Sequence, residues 1–129
     1  MIGLSNEIKN ILLNDSNITN IVKQQIYNII NDERTTTPFL VVELKSLLPE
    51  YTKEYYINDE AEFNIVCVAS KYDVVIELAS KLRDKLETKK YVLDSHTLDS
   101  IRFNGFEEDF TNNLYTGVIS FTCKIFNNE

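Results

Sequence analysis

The chain has 129 residues, with 13 Lys and Arg against 20 Asp and Glu for a net charge of −7, and is 43% hydrophobic and 26% charged. That length and balance fit one globular domain over residues 1–129 and exclude a disordered chain. The acidity disfavours general binding to duplexes, which depends on Lys and Arg neutralising phosphates. No apolar run approaches the roughly 18 residues of a membrane span, and Met1 to Glu7 lacks the basic start and apolar stretch of a signal peptide. The sequence therefore points to the cytoplasm of the cell that makes it, with no membrane partner.

Ser5 is positioned to cap a first helix carrying Ile8, Ile11 and Leu12 at helical spacing, ending near the turn-forming Asn14-Asp15-Ser16-Asn17. Ile18, Ile21 and Val22 fit another turn or two of helix. Ile26-Tyr27-Asn28-Ile29-Ile30 fits either helix or strand, and its β-branched content favours strand. A loop over Thr35-Thr36-Thr37 leads to a strand starting at Pro38, with Leu40, Val42 and Leu44 on one face, Glu43 and Lys45 on the other, and Pro49 as its end. Tyr51 to Asp59 lacks apolar alternation and reads as an extended hairpin arm or loop projecting from the sheet.

From Ala61 the alternation is clean. Ala61, Phe63, Ile65, Cys67 and Ala69 share one face, and Val66 and Val68 on the other suggest a central strand buried on both sides. A helix follows over about residues 71–88, with Ser70 and Asp73 placed as a capping box. Its stripe of Val75, Leu78, Ala79, Leu82 and Leu86 should pack on the sheet, and Lys85, Lys89 and Lys90 complement the dipole at its C-terminal end. Tyr91-Val92-Leu93 leads into a strand-like run, Leu98 to Phe103, which Phe106 to Phe110 extends to a turn at Asn112-Asn113. The last strand, Leu114 to Phe126, aligns Tyr115, Gly117, Ile119, Phe121, Cys123 and Ile125. The fold class is α+β: a mixed, mainly antiparallel sheet with a long C-terminal hairpin, packed by an N-terminal helix and a central amphipathic helix.

Charge is unevenly spread. Residues 50–62 hold Glu50, Glu54, Asp59, Glu60 and Glu62 against Lys53, and residues 94–109 hold Asp94, Asp99, Glu107, Glu108 and Asp109 against Arg102. The segment 71–90 leans basic, with Lys71, Lys81, Arg83, Lys85, Lys89 and Lys90. Acidic loops beside a basic-leaning helix would suit head-to-tail contacts between copies, and ordinary solvated faces explain the same charges equally well.

Nothing in the sequence demands chemistry. His96, the single histidine, lies among Asp94, Ser95, Thr97 and Asp99, but a turn entering a strand explains those residues better than a catalytic triad. Asp59-Glu60-Ala61-Glu62 and Glu107-Glu108-Asp109 lack the spacing and glycine turn of a calcium loop. Cys67 and Cys123 sit in apolar strand patterns, suited to core packing, and with one histidine they form no zinc cluster. Gly3, Gly105 and Gly117 are too scattered to cradle a phosphate. Tyr51, Tyr55 and Tyr56 lie in acidic surroundings, which favours protein contacts over base stacking. No enzyme activity, cofactor or metal is expected.

The order of these patterns resembles the tail-terminator or tail-completion family of long-tailed bacteriophages and prophages. The resemblance runs from Leu4 to Ile125: a leading helix ending Ile11-Leu12-Leu13, the Ile18 to Val22 turn, Ile26-Tyr27, the Pro38 to Val42 strand, the Phe63-Ile65-Cys67 strand ending Ala69-Ser70, the Val75 to Leu86 helix and a closing strand pair. Asn28 stands where many relatives have proline after the Ile-Tyr pair. The resemblance implies a hexameric ring of copies on the head-proximal end of the tail tube, ending tube growth and offering a surface to the head connector. Its partners would be itself, the tail tube protein and a connector or neck protein, with DNA passing through the channel without specific contact. It further implies assembly in the host cytoplasm and residence in the virion tail. On that reading Tyr51, Tyr55 and Tyr56 are candidate contacts to a neighbouring subunit or the tube. Asp59, Glu60, Glu62, Glu107, Glu108 and Asp109 are candidate acidic channel or interface positions. A head-closure or other neck protein, and a dimeric small-ligand-binding or regulatory α+β domain, are the alternatives.

Overall fold

The computed structural model describes residues 2–28, 36–52 and 55–128. Ile29, Ile30 and Thr35, assigned above to a strand and a loop, lie outside the described residues. Two short helices, α1 (Leu4–Leu13) and α2 (Ser16–Val22), precede the two-residue strand β1 (Ile26–Tyr27). A hairpin of β2 (Phe39–Thr52) and β3 (Tyr55–Ala69) leads into helix α3 (Tyr72–Leu86). The two-residue β4 (Tyr91–Val92) and a second hairpin, β5 (His96–Thr111) with β6 (Leu114–Asn127), complete the chain. The strands form one sheet in the order β1-β2-β3-β6-β5-β4, with β1 parallel to β2 and every other pairing antiparallel. The α+β reading therefore holds.

All three helices pack on one face of the sheet. Leu4, Ile8 and Leu12 recur every fourth residue along α1, and Ile18 and Val22 do so on α2. The stripe read on α3, Val75, Leu78, Ala79, Leu82 and Leu86, is buried throughout. Beneath them the alternate residues of the strands form cross-strand rows, of which Leu44, Phe63, Phe121 and Phe103 make one. In that row the Phe63 and Phe121 rings stack at 5.4 Å and Phe103 meets Phe121 edge-on at 6.2 Å. At Gly117 the first turn of α3 comes so close to β6 that an added Cβ would stand 2.7 Å from the Val75 Cγ1 and from the Phe106 ring.

Several local expectations change. α1 starts at Leu4, because Leu4 belongs to the buried stripe; Gly3 takes the capping position, and Ser5 caps nothing. The side-chain cap instead belongs to Asp15, whose carboxylate accepts the Asn17 amide at 2.8 Å at the start of α2. The Ser70–Asp73 capping box does not form either: Lys71 is the capping residue and no side-chain bond closes the end of α3. Pro49 does not end β2. It stands opposite Asp59, where β2 has no described neighbour on its other side, and an edge strand tolerates a missing N–H. The run from Leu98 to Phe103 is extended by Phe106 to Phe110 as expected, in one strand, β5, which carries two bulges. Asn112 and Asn113 form the expected turn, with φ of 55° and 63°, the geometry of a two-residue type I′ hairpin.

β3 is central, and among the described residues its second face has no helical cover. There Phe39, Val41 and Val68 form a small buried cluster, packed by Tyr27, Val66 and Leu114 among the described residues. The sheet is thus two-layered, closed on one face and open on the other.

Leu82 has no exposed surface, so Leu82→Ala is expected to destabilise the chain by about 2–5 kcal/mol. Gly117→Ala should cost about 1–3 kcal/mol through the clash with Val75 and Phe106. Urea unfolding checks both, and a loss under about 1 kcal/mol at Leu82 would put the stripe on the wrong face.

Candidate functional site

Beyond the Asp59–Ile125 pair that ends the β3–β6 ladder, β2 and β3 pair only with each other, through Glu50–Asn58, Tyr51–Tyr56 and Thr52–Tyr55. The described residues of the Tyr51 to Asp59 segment therefore belong to both strands of a two-stranded ribbon, a hairpin arm and not a loop, while Lys53 and Glu54 lie outside the described residues. At its base the buried Asn58 donates one amide proton to Glu50 Oε1 at 2.6 Å and another to the Asp59 carbonyl at 3.0 Å. Tyr51, Tyr55 and Tyr56 stand exposed at the tip, and the Tyr51 and Tyr56 rings meet edge-on at 5.9 Å. Partial burial, and then a hydrogen bond to Asp59, hold the Tyr56 phenol above its ordinary pKa.

The six acidic positions lie on strands, which corrects the loop assignment. Glu60 and Glu62 alternate with the core residues Ala61 and Phe63, so they project from the open face. Glu107 and Asp109 do the same on β5, opposite Val118 and Thr116 of β6. Arg102 reaches Glu60 at 3.9 Å across this face, an exposed pair worth little by itself. Glu108 points the other way, and the hydrogen bond it accepts from Tyr72 is the main reason that phenol sits above its ordinary pKa.

Glu108 meets the basic-leaning helix at Tyr72, but Glu60, Glu62, Glu107 and Asp109 are on the opposite side of the sheet from it. It lies on the closed face, and part of its charge is already matched: Lys81 to Glu77 at 3.2 Å, Lys85 to Asp15 at 3.5 Å, and Arg83 to Glu87. Acidic sheet face and basic-leaning helix layer thus back onto each other within one copy.

An aromatic cluster went unread in the sequence. Tyr115 sits 4.5 Å from Phe110 and 5.8 Å from Tyr72, with Phe110 and Tyr72 exposed. The signal was present: Phe110 and Tyr115 flank the Asn112-Asn113 turn symmetrically and pair across it. Strand direction puts this cluster and the Tyr51 to Tyr56 tip at opposite ends of the sheet.

His96 bonds through Nδ1 to the neighbouring Ser95 hydroxyl at 2.7 Å, while Asp99 accepts the Ser100 amide. No hydrogen bond joins Asp94 or Asp99 to His96 among the described residues, so these groups form no relay. Also among the described residues, no three His, Cys, Asp or Glu side chains group to hold a metal ion, and no helix is long and apolar enough to cross a membrane.

With the geometry in place, the fold finds a counterpart among solved structures. A chain from the virion of a native gene transfer agent (GTA) particle superposes with a TM-score of 0.80 at 12% identity, over 94% of this chain and 92% of that one. No protein-family model matches the sequence, and no curated protein does. The likeness establishes a shared fold across nearly the whole of both chains, and fold alone does not carry function.

Cys67 and Cys123 lie buried on the closed face, and burial pushes both thiols up to about 12. A thiol raised in the folded state contributes stability that is full below the ordinary value of 9.0 and is lost as pH climbs towards about 12. Both cysteines should resist a thiol-specific disulfide reagent near neutral pH until urea unfolds the chain. Prompt labelling of the native protein would contradict their burial.

Proposed function

We propose that this chain is a structural protein of a virion, and that within the virion it forms the hexameric ring capping the head-proximal end of a tail tube. The observation that carries the reading is the fold shared, end to end, with a virion chain. The order of sequence elements from Leu4 to Ile125 supports the finer assignment to a tail terminator. On this reading the ring ends tube growth and gives the head connector or neck protein its docking surface. It has no catalytic turnover, cofactor or metal.

The charge layout supports the channel role. A sheet face bearing Glu60, Glu62, Glu107 and Asp109 suits a wall past which DNA slides, since fixed carboxylates repel phosphate and give no base contact. Turning that face inward leaves the helices on the outside of the ring. The tyrosine tip, extending past the rest of the sheet, is then placed to reach a neighbouring subunit or the tube.

Gold-labelled antibody against the chain should mark the junction of head and tail in purified virions. Absence of the chain from virions would sink the structural reading, and label confined to tail-less heads would move it to a head-closure protein.

Because Glu50 pairs with Asn58, residues 51–57 are replaceable by an Asn-Gly turn that closes the hairpin at its base. The shortened chain should fold as the parent does, by circular dichroism, yet fail to cap tubes, giving tails of uncontrolled length. Tails of normal length would mean that the tip has no part in capping.

A further inference from the structure

We propose that copies of this chain join edge to edge, the outer edge of β5 in one copy pairing antiparallel with the outer edge of β2 in the next. The proposal rests on the self-assembly reading above and specifies its contact surface.

Among the described residues, both edges are open over matching stretches. On β2, β1 flanks only Leu40 and Val41, and Pro49 offers no N–H, which leaves residues 42–48 unpaired on that side among the described residues. On β5, β4 flanks Thr97 and Leu98 and the Thr88 amide takes the Ile101 carbonyl, so from Arg102 onward the described residues provide no outer neighbour. Unpaired edges of this length are templates for strand addition.

Polarity also fits. Three antiparallel steps, β2 to β3 to β6 to β5, make β5 run opposite to β2. A copy related by rotation about an axis along the strands therefore presents its β2 antiparallel to this β5, with neither strand reversed. That contact is heterologous, using two different surfaces, and such contacts close into rings when the rotation from copy to copy divides a full turn.

Side chains and backbone shape agree with the pairing. Leu44 and Leu47 on β2, and Phe103 and Phe106 on β5, are the half-buried members of the helix-side core. With the copies at equal height, joining the edges sets Leu44 beside Phe103 and Val42 beside Phe106, and extends the aromatic row from one copy into the next. Each open stretch also carries one extra residue next to the row that Phe63 and Phe121 link, Lys45 after Leu44 and Asn104 after Phe103, one on either side of that row. Bulges bend and twist a strand, so the two edges bend at neighbouring heights.

Lys45 and Asn104 are exposed, and Cys67 and Cys123 are buried, which allows a direct test. Lys45→Cys and Asn104→Cys would be made singly and together in the full chain, treated with a short bis-maleimide, and imaged in parallel by electron microscopy. The double variant should give a ladder of covalent oligomers. Each single variant alone should stay monomeric on a denaturing gel, and the two singles mixed should give dimers that extend no further. Rings without a ladder would overturn the edge contact while leaving the ring reading intact. A covalent dimer of either single variant alone would replace the head-to-tail contact with a symmetric one. Absence of both rings and ladder would overturn both readings.

Discussion

One-sided burial governs this structure. Three helices cover a single face of the sheet, so each strand has to present apolar residues at every second position towards them and is free to vary in between. The fixed half of that arrangement is the row of Phe63, Phe121 and Phe103 and the seat of α3 over Gly117, where helix, strand and the Phe106 ring meet at contact distance. A side chain at residue 117 would push α3 away from β6 and loosen the packing that aligns the strands. The varied half is the open face, where an apolar patch around Phe39, Val41 and Val68 has Glu107 and Asp109 level with it on β5 and Glu60 and Glu62 further along β3.

This division explains which parts of the architecture were legible beforehand. Period decides the α3 stripe and the alternation from Ala61 to Ala69, and both emerge from the residues without ambiguity. The same alternation already implied that Glu60 and Glu62 oppose the core. Asn112-Asn113 was equally plain, since few residue pairs tolerate two successive positive φ angles. Capping was less readable. Ser5 and the Ser70–Asp73 pair have the right chemistry, but packing of Leu4 and the entry to α3 set where the helices begin. Pro49 misled because the rule against proline in strands holds for the interior of a sheet, and sequence does not reveal which strand will be an edge.

The candidate site follows the same pattern. Residue types marked the tyrosines and carboxylates as surface groups, and strand parity sorted most of the acids onto one face. Their separation from the basic-leaning helix depended on the whole sheet order, a property of long-range pairing. A charge pattern that looked suited to direct contact between neighbours instead gives each copy an acidic front and a more basic back.

The two hairpins have one further consequence. One ends in tyrosines on a narrow ribbon, the other in Phe110 and Tyr115, which cluster with Tyr72 of α3 beside a tight asparagine turn, and they point opposite ways along the strands. A closed assembly of copies all standing the same way up would have two unlike rims. It would have a built-in direction, with one rim fitted to one partner and the other rim to a different one. Inverting it on its mount would set the wrong surface against each partner, so orientation is encoded in the subunit before any partner arrives.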